Sequence, residues 1–399
     1  LLFITRSMPA IQLLPLTGNI APTLHRLGWD WAMEDVCQHY VAQEAVQLPE
    51  EQADALLEAT DTLYDMLVQA VPDDLPDDFL RRLAIPEVLW GAVRHSWADD
   101  RHWHLYGRFD LAQTPDGPKL LEFNADTATS LPEAAVVQWA SLVAAGLNEE
   151  DRQANGLFEG LQAQFTHWLE LNDDLAPTLL LVYLPGSEED ATNCAVLAEA
   201  ALAAGFELTH LCEADAMTVS VAGADRGAWA EVEPGQWQKF DFVFKLVPWE
   251  ILAEEEPELT TDLTQLMQSR DVVVANPAYS LLFQSKAMLA WLWQEFPHHP
   301  LLLEASFDEL PGHSVRKPVF GREGQNVTEL HAGQLGQTVE GDFAQQPQVY
   351  QRYATLPQDT QGRYYQAGVF WAGQGCAIGY RRDTGFMTNL SEFVPHVLL

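Results

Sequence analysis

Apolar residues recur along the chain with two periods, one helical and one of two, separated by Pro and Gly. Residues 50–71 carry Leu56, Leu57, Leu63, Met66 and Leu67 at helical spacing between Pro49 and Pro72, which predicts an amphipathic helix. Residues 132–146 predict a second. After Pro177 the pattern changes. TLLLVY (178–183) is an apolar run of strand length, 188–204 is Ala-rich and helical with Gly205 placed to cap it, and FELTHL (206–211) resumes a strand, which makes a βαβ unit. Further strands are predicted within 240–249 and 271–277, so residues 177–277 read as a small open α/β sheet. A helix over 280–295 follows, then a strand around 315–320, a Gly-containing loop at 321–327, and strands around 347–354 and 364–371. No internal repeat is visible, and the acidic run Glu254–Glu256 reads as a solvated face or loop.

Between the first two helices lies a stretch with period two. In HLYGRFDL (104–111) the apolar positions Leu105, Phe109 and Leu111 alternate with His104, Tyr106, Arg108 and Asp110, which predicts a half-buried strand with one chemical face. The turn signal TPDGP follows, and then LLEFNAD, in which Glu122 and Asn124 share a face. A hairpin centred on Asp116 pairs Asp110 with Glu122 and Arg108 with Asn124. The two carboxylates then oppose each other at about 4.5–5.5 Å between Cβ atoms, which is destabilising unless a cation sits between them. Carboxylate and amide oxygens are hard ligands suited to Mg²⁺, and Arg108 supplies a planar fork for phosphate. The same spacing suits an ordinary polar face with Arg108 bridging the carboxylates, and spacing alone does not separate the two. The next segment, ADTATSLPEA, places Thr127, Thr129 and Ser130 where the chain leaves a strand for a helix, a position for binding an anion or for capping.

Lysine is scarce: five residues, against sixteen arginines. Lys245 (in FVFKLV) and Lys317 (before PVF) stand beside apolar strand residues, where a buried ammonium needs an anionic partner, and Lys286 lies in a helical stretch. Each reads either as a phosphate ligand or as an edge residue. Gly321 and Gly324 in GREGQNV follow the Lys317 strand; their backbone amides could approach phosphate oxygens, although a plain hairpin turn fits equally and the spacing is neither of the common nucleotide-loop patterns.

The 399 residues suggest two or three domains, and the 47% hydrophobic content makes the chain globular. A net charge of −37 repels phosphate backbones and anionic headgroups, so nucleic acid and membrane surfaces are not expected partners. The same field attracts cations and polyamines, or simply keeps a solvated surface soluble. Four dispersed cysteines (Cys37, Cys194, Cys212, Cys376) without a CxxC supply neither a zinc site nor a disulfide scaffold, and a cytoplasmic location is expected. The opening segment is apolar but interrupted by Arg6 and Pro9, lacks a leader pattern, and offers Met8 as a candidate start. No apolar run approaches membrane-spanning length.

Taken together, GWDW (28–31), RFD with EFNADTATSLPEA, FKLVPWE, NPAYSLLFQSKAMLAWLW, KPVFGREGQNV, VYQ and the closing YRRD with TNLSEFVPH resemble the glutathionylspermidine synthase family, and more narrowly stand-alone acid–amine ligases related to its synthetase domain. The resemblance covers nearly the whole chain. It implies a mixed α+β and α/β architecture, an ATP-grasp fold with an associated pre-ATP-grasp, Rossmann-like α/β domain. On this division residues 1–176 hold a helical region and the ligand hairpin, 177–277 the pre-ATP-grasp-like domain, and 278–399 the nucleotide-binding region. It further implies that Asp110, Glu122 and Asn124 hold two Mg²⁺ ions, and that Arg108 contacts the nucleotide phosphates and the developing acyl phosphate. Lys245, Lys286, Lys317 and Gln351 would line the ATP site with Gly321 and Gly324. Thr127 and Thr129 would contact the acid, and Arg381, with Arg382 as its neighbour and rival, would be a mobile active-site arginine. The expected partners are a small-molecule carboxylate, such as glutathione, and an amine, such as spermidine. No amidase portion with a Cys–His pair is visible, so hydrolysis of the product is not expected. A metal-dependent phosphohydrolase and a non-catalytic nucleotide- or polyamine-binding protein are the alternatives.

Overall fold

The structure is a computed structural model that describes residues 10–29, 40–147 and 152–399. Cys37, Met8 and part of the GWDW motif lie outside the described residues. Helix α1 (Glu50–Ala70) follows the predicted span and buries Leu56, Leu63, Met66 and Leu67. Helix α2 (Trp90–Ala98) precedes the hairpin of β1 (Gly107–Thr114) and β2 (Gly117–Asn124). The segment predicted as one helix over 132–146 is a π-helical turn at Glu133–Val137 running into α3 (Gln138–Ala144).

Helix α4 (Leu157–Glu170) leads to β3 (Thr178–Tyr183), α5 (Glu188–Ala204) and β4 (Leu208–Glu213), followed by β5 (Phe242–Lys245), α6 (Pro257–Gln268) and β6 (Val273–Ala275). The four strands form a parallel sheet in the order β6-β5-β3-β4. Leu179 to Val182 and Phe242 to Phe244 are buried in continuous runs, because helices cover the faces of such a sheet. Ser187 caps α5 by accepting from the Asp190 amide, and Gly205 ends it at φ 115°, a left-handed conformation that glycine adopts without strain. The strand predicted within 240–249 stops at Lys245, because Pro248 opens a helix at Trp249.

The predicted helix over 280–295 is two helices, α7 (Ser280–Gln284) and α8 (Ala287–Glu295). The break is at Ser285, whose backbone is extended and whose hydroxyl donates to the Leu83 carbonyl at 2.7 Å. Strands β7 (Ala305–Ser306), β8 (His313–Pro318), β9 (Thr328–His331), β10 (Gln334–Thr338) and β11 (Gln348–Arg352) form an antiparallel sheet in the order β7-β11-β8-β9-β10. Finally β12 (Tyr364–Trp371), β13 (Gly375–Asp383) and β14 (Glu392–Val394) join the hairpin in one sheet, β14-β13-β12-β1-β2. Two three-stranded sheets complete the architecture, a mixed α/β fold of five sheets among the described residues.

The hairpin register is as expected at its functional end: Arg108 opposes Asn124 and Asp110 opposes Glu122. A bulge follows Asp110, so Leu111 pairs with Leu120 and the hairpin closes at Thr114 opposite Gly117. On the opposite face Phe109 and Phe123 stack at 3.8 Å, almost parallel, in the core. Each buried phenyl ring contributes about 1.5–3 kcal/mol, and a slip of one residue would exchange these rings for the carboxylates.

Candidate active site

The hairpin's polar face forms one wall of a cleft of about 480 Å³. The β8–β11 sheet, the 321–327 loop and the 385–389 segment form others. Arg108, Asp110, Glu122, Asn124, Thr127, Thr129, Lys286, Lys317, Gly321, Gly324, Gln351 and Arg381 all line it. Sequence positions more than 270 residues apart therefore meet in one space.

Arg108 forks onto Asp110, with Nε 2.8 Å from Oδ1 and Nη2 3.2 Å from Oδ2, while Nη1 donates to the Thr129 carbonyl at 2.9 Å. Gly368 lies opposite Asp110 on β12, and a Cβ there would stand 3.1 Å from the Arg108 side chain, so the glycine leaves the arginine its path. Asn124 donates to Asp110 Oδ2 at 3.2 Å. Across the hairpin, Glu122 lies 3.3 Å from Lys286, whose ammonium also donates to the Gly321 carbonyl at 2.6 Å. The bulge supplies two acceptors: the Leu121 carbonyl takes Lys317 at 3.0 Å and the Leu120 carbonyl takes the Gln351 amide at 2.9 Å. Lys317 and Gln351 meet each other at 2.8 Å.

The charges are set by these contacts. Burial works against the Arg108 charge, but Asp110 outweighs it and raises the guanidinium pKa. Burial likewise pushes the Glu122 carboxyl up, yet Lys286 and then Lys317 hold it below its ordinary value. Burial is the main cause that lowers Lys317 to about 8, with Glu122 opposing the shift and Lys286 adding to it. At the far wall Glu189 is raised to about 7, first by burial and then by Glu133 and Asp190. Asp110, Glu122 and Asn124 fit a hard divalent cation: two carboxylates and an amide oxygen on facing strands, whose negative charge is met here by Arg108 and Lys286.

The two neighbouring arginines separate cleanly. Arg381 faces the cleft and donates to the carbonyls of Thr388 at 3.1 Å and Asn389 at 2.6 Å, and to the Tyr40 hydroxyl at 2.7 Å. Arg382 points the other way, onto Glu44, Glu392 and the Tyr365 hydroxyl. Lys245 is absent from the cleft lining. It is buried against Asp126 at 2.8 Å, with its ammonium 4.4 Å from the Trp249 ring centre.

Several residues that sequence reasoning did not single out build the site. Asp126 also accepts from the Trp249 amide at 3.0 Å and the Ser280 hydroxyl at 3.2 Å. Gln284 Oε1 accepts from the amides of Ala125 and Asp126, and Asn276 ties Leu105, Tyr106 and Asp126 together. Arg322 pairs with Glu250 at the cleft edge. Gly324 has φ 71°, and a Cβ there would meet the Met387 carbonyl oxygen at 2.3 Å, so the two loops over the cleft touch at a position where only glycine fits.

The relatives of this chain give its class as an enzyme, a carbon–nitrogen ligase. The chain belongs to the glutathionylspermidine synthase preATP-grasp family, whose model matches residues 13–399. It is 29% identical over 401 residues to a Haemophilus influenzae protein named "Putative acid–amine ligase", an alignment covering 96% of this chain and 97% of that one. It is 28% identical over 344 residues to the bifunctional glutathionylspermidine synthetase/amidase of Escherichia coli, covering 80% of this chain and 53% of that protein, so the match spans about half of that relative's length. A solved glutathione synthetase like-effector from Globodera pallida, in apo form, aligns with a TM-score of 0.51 and 10% identity over 89% of each chain, which shows a shared fold. Among the described residues no helix is long and apolar enough to cross a membrane.

Proposed function

We propose that this chain is an ATP- and Mg²⁺-dependent acid–amine ligase that joins a small carboxylate, a peptide such as glutathione, to an amine such as spermidine through an acyl phosphate. The observation that carries the reading is the cross-strand pair Asp110 and Glu122 with Arg108, Lys286 and Lys317 gathered around it in one cleft. In this reading the fold is an ATP-grasp with 177–277 as its pre-ATP-grasp domain and 278–399 as its nucleotide-binding region.

Asp110, Glu122 and Asn124 would hold two Mg²⁺ ions, which supply neutralisation of phosphate charge when bound. Lys286, Lys317 and Gln351 orient the ATP phosphates, with Gly321 and Gly324 in the covering loop. Thr127 and Thr129 position the acid, whose carboxylate oxygen attacks the γ-phosphorus while the bond to the β-phosphate oxygen breaks and ADP leaves. Arg108 stabilises the charge on the transferring phosphoryl group. The amine nitrogen then attacks the acyl carbon, the carbon–oxygen bond to phosphate breaks, and the amine loses a proton. Arg381, tied to 388–389, closes with the 321–327 loop and keeps water from the acyl phosphate. Lys245 serves as a positioning residue, holding Asp126 beneath the 125–130 segment.

The test is Mg²⁺-dependent phosphate release from ATP with small peptides crossed against diamines and polyamines. Release that requires both an acid and an amine is expected and identifies the pair. Release without either partner would replace the ligase reading with a phosphohydrolase.

A further inference from the structure

The connection between α2 and β1 carries a second group of ligating side chains, outside the cleft and unused by the ligase reading. His95 lies in the last turn of α2, Asp99 is the residue at which that helix ends, and His102 follows before β1. One ligand atom from each lies within 4.8 Å of the other two. His102 is only 3% exposed. Its Nδ1, and Nε2 of His95, are buried without a hydrogen-bond partner, an unusual state for two facing imidazoles. The rings meet edge to face at 5.2 Å. Burial, then the neighbouring His95, lowers His102 to about 4, which leaves a neutral ring suited to ligation.

Two arginines border the cluster and both act electrostatically on His102, while the Arg101 amide donates to Asp99 Oδ1 at 3.2 Å. Arg101 is turned away onto Asn172 at 2.8 Å and Asp174 at 2.7 Å. Arg270 stands 3.7 Å from Asp99 Oδ2 and is largely exposed, so it occupies the place of a cation that it can vacate. The other such group among the described residues, His313, Glu329 and His331, differs in one respect. There Glu329 takes Nε2 of both imidazoles, at 2.6 and 3.1 Å, the rings are partly solvent-exposed, and none of their nitrogens is both buried and without a partner.

We propose that His95, Asp99 and His102 form a site for a divalent transition metal of the zinc class, with two imidazole nitrogens, one carboxylate oxygen and a remaining position for water. Two imidazoles and a carboxylate select zinc-like ions over Mg²⁺, which prefers oxygen donors. Metal–ligand bonds of about 2.0–2.1 Å need donors about 3.3 Å apart, so binding contracts the cluster and displaces Arg270. The bound ion ties the end of α2 to the lead-in of β1, the strand that carries Arg108 and Asp110.

The test uses the full chain, stripped with a chelator and titrated with Zn²⁺ in excess Mg²⁺, with competition against a chromophoric chelator, the melting temperature and the visible spectrum of the Co²⁺ form as readouts. The expected result is one Zn²⁺ per chain, a raised melting temperature and the intense absorption of low-symmetry four-coordinate Co²⁺. His95→Asn and His102→Phe each weaken binding by at least the roughly 10–100-fold that loss of an outer-shell partner causes, whereas His331→Asn leaves it unchanged. Absence of stoichiometric binding by the unaltered chain overturns the site and assigns the orphaned nitrogens to water. Binding that survives His95→Asn, or that disappears with His331→Asn, overturns it equally. Should His102→Phe fail to fold, His95→Asn set against His331→Asn decides between the two groups.

Discussion

Asp110 and Glu122 oppose each other across the hairpin, yet each answers to a different cation: Asp110 to Arg108 at 2.8 Å and Glu122 to Lys286 at 3.3 Å. Arg108 comes from the same strand, while Lys286 comes from the break between two helices more than 160 residues away. The pair therefore joins the hairpin sheet to the second half of the chain. A site built this way is complete only when both halves are docked.

Glu122→Gln tests the carboxylate role with little change of shape. Lys286 keeps the Gly321 carbonyl, and Lys317 keeps the Leu121 carbonyl and Gln351, so neither ammonium is stranded. Turnover is expected to fall by at least about 100-fold, in line with the loss of a group that stabilises transition-state charge. The melting temperature should shift by only a few degrees. Wild-type turnover in this variant would remove Glu122 from the chemistry.

Lys317 predicts a pH dependence. Its pKa in the fold is about 8, against 10.5 for the free side chain, chiefly because it is buried. Since folding disfavours its proton, the lysine costs stability below about pH 8, and that cost fades as pH rises towards 10.5. Phosphate binding runs the other way, because the neutral amine attracts phosphate less. The ratio kcat/KM for ATP should fall about tenfold per pH unit above the pKa near 8, as expected for an essential group ionising in the free enzyme. Lys317→Met should lower the plateau and remove this limb, and a profile measured over pH 6.5–9.5 checks both, where ~6.5–9.5 simply brackets the expected titration.

Legibility of the sequence followed the range of the interactions. The βαβ unit, α1 and the hairpin register could be read because they rest on local periodicity, proline and glycine stops, and a turn signal. The break at Ser285 could not, because the hydroxyl that redirects the chain bonds to Leu83, about 200 residues away. The bulge after Asp110 was hidden for the same reason: its exposed carbonyls are held by Lys317 and Gln351 from β8 and β11. Scarcity of lysine pointed to Lys245, Lys286 and Lys317 alike. Composition records that a lysine needs an anion, whereas only the fold shows whether that anion is a ligand or an aspartate in the core.

Lys245 decides that point by experiment. Its partner Asp126 is fully buried and also holds the Trp249 amide and Ser280, so removing the ammonium leaves an uncompensated buried charge. Lys245→Met should cost about 3–5 kcal/mol in denaturant unfolding. In the fraction that stays folded at low temperature, KM for ATP should change less than threefold, a difference of about 0.6 kcal/mol. A large rise in KM with unchanged stability would instead make Lys245 a nucleotide contact.

Arg381 and Arg382 are adjacent in sequence and alternate in side-chain direction, as strand geometry requires, so one pair of substitutions separates chemistry from architecture. Arg382 is 4% exposed and its guanidinium joins Glu44 of an N-terminal strand to Glu392 of β14 and to Tyr365. Arg382→Ala breaks all three contacts at once and should destabilise the chain by about 3 kcal/mol, read from the denaturation midpoint. Arg381 holds two carbonyls of the 388–389 segment and the Tyr40 hydroxyl at the cleft wall, and it contributes no carboxylate pair to the core. Arg381→Ala should leave the midpoint almost unchanged. Turnover should fall by about 100-fold, with ATP hydrolysis uncoupled from amide formation as water enters the unclosed cleft. The reverse pattern, in which Arg382→Ala loses activity without losing stability, would transfer the closing role to Arg382.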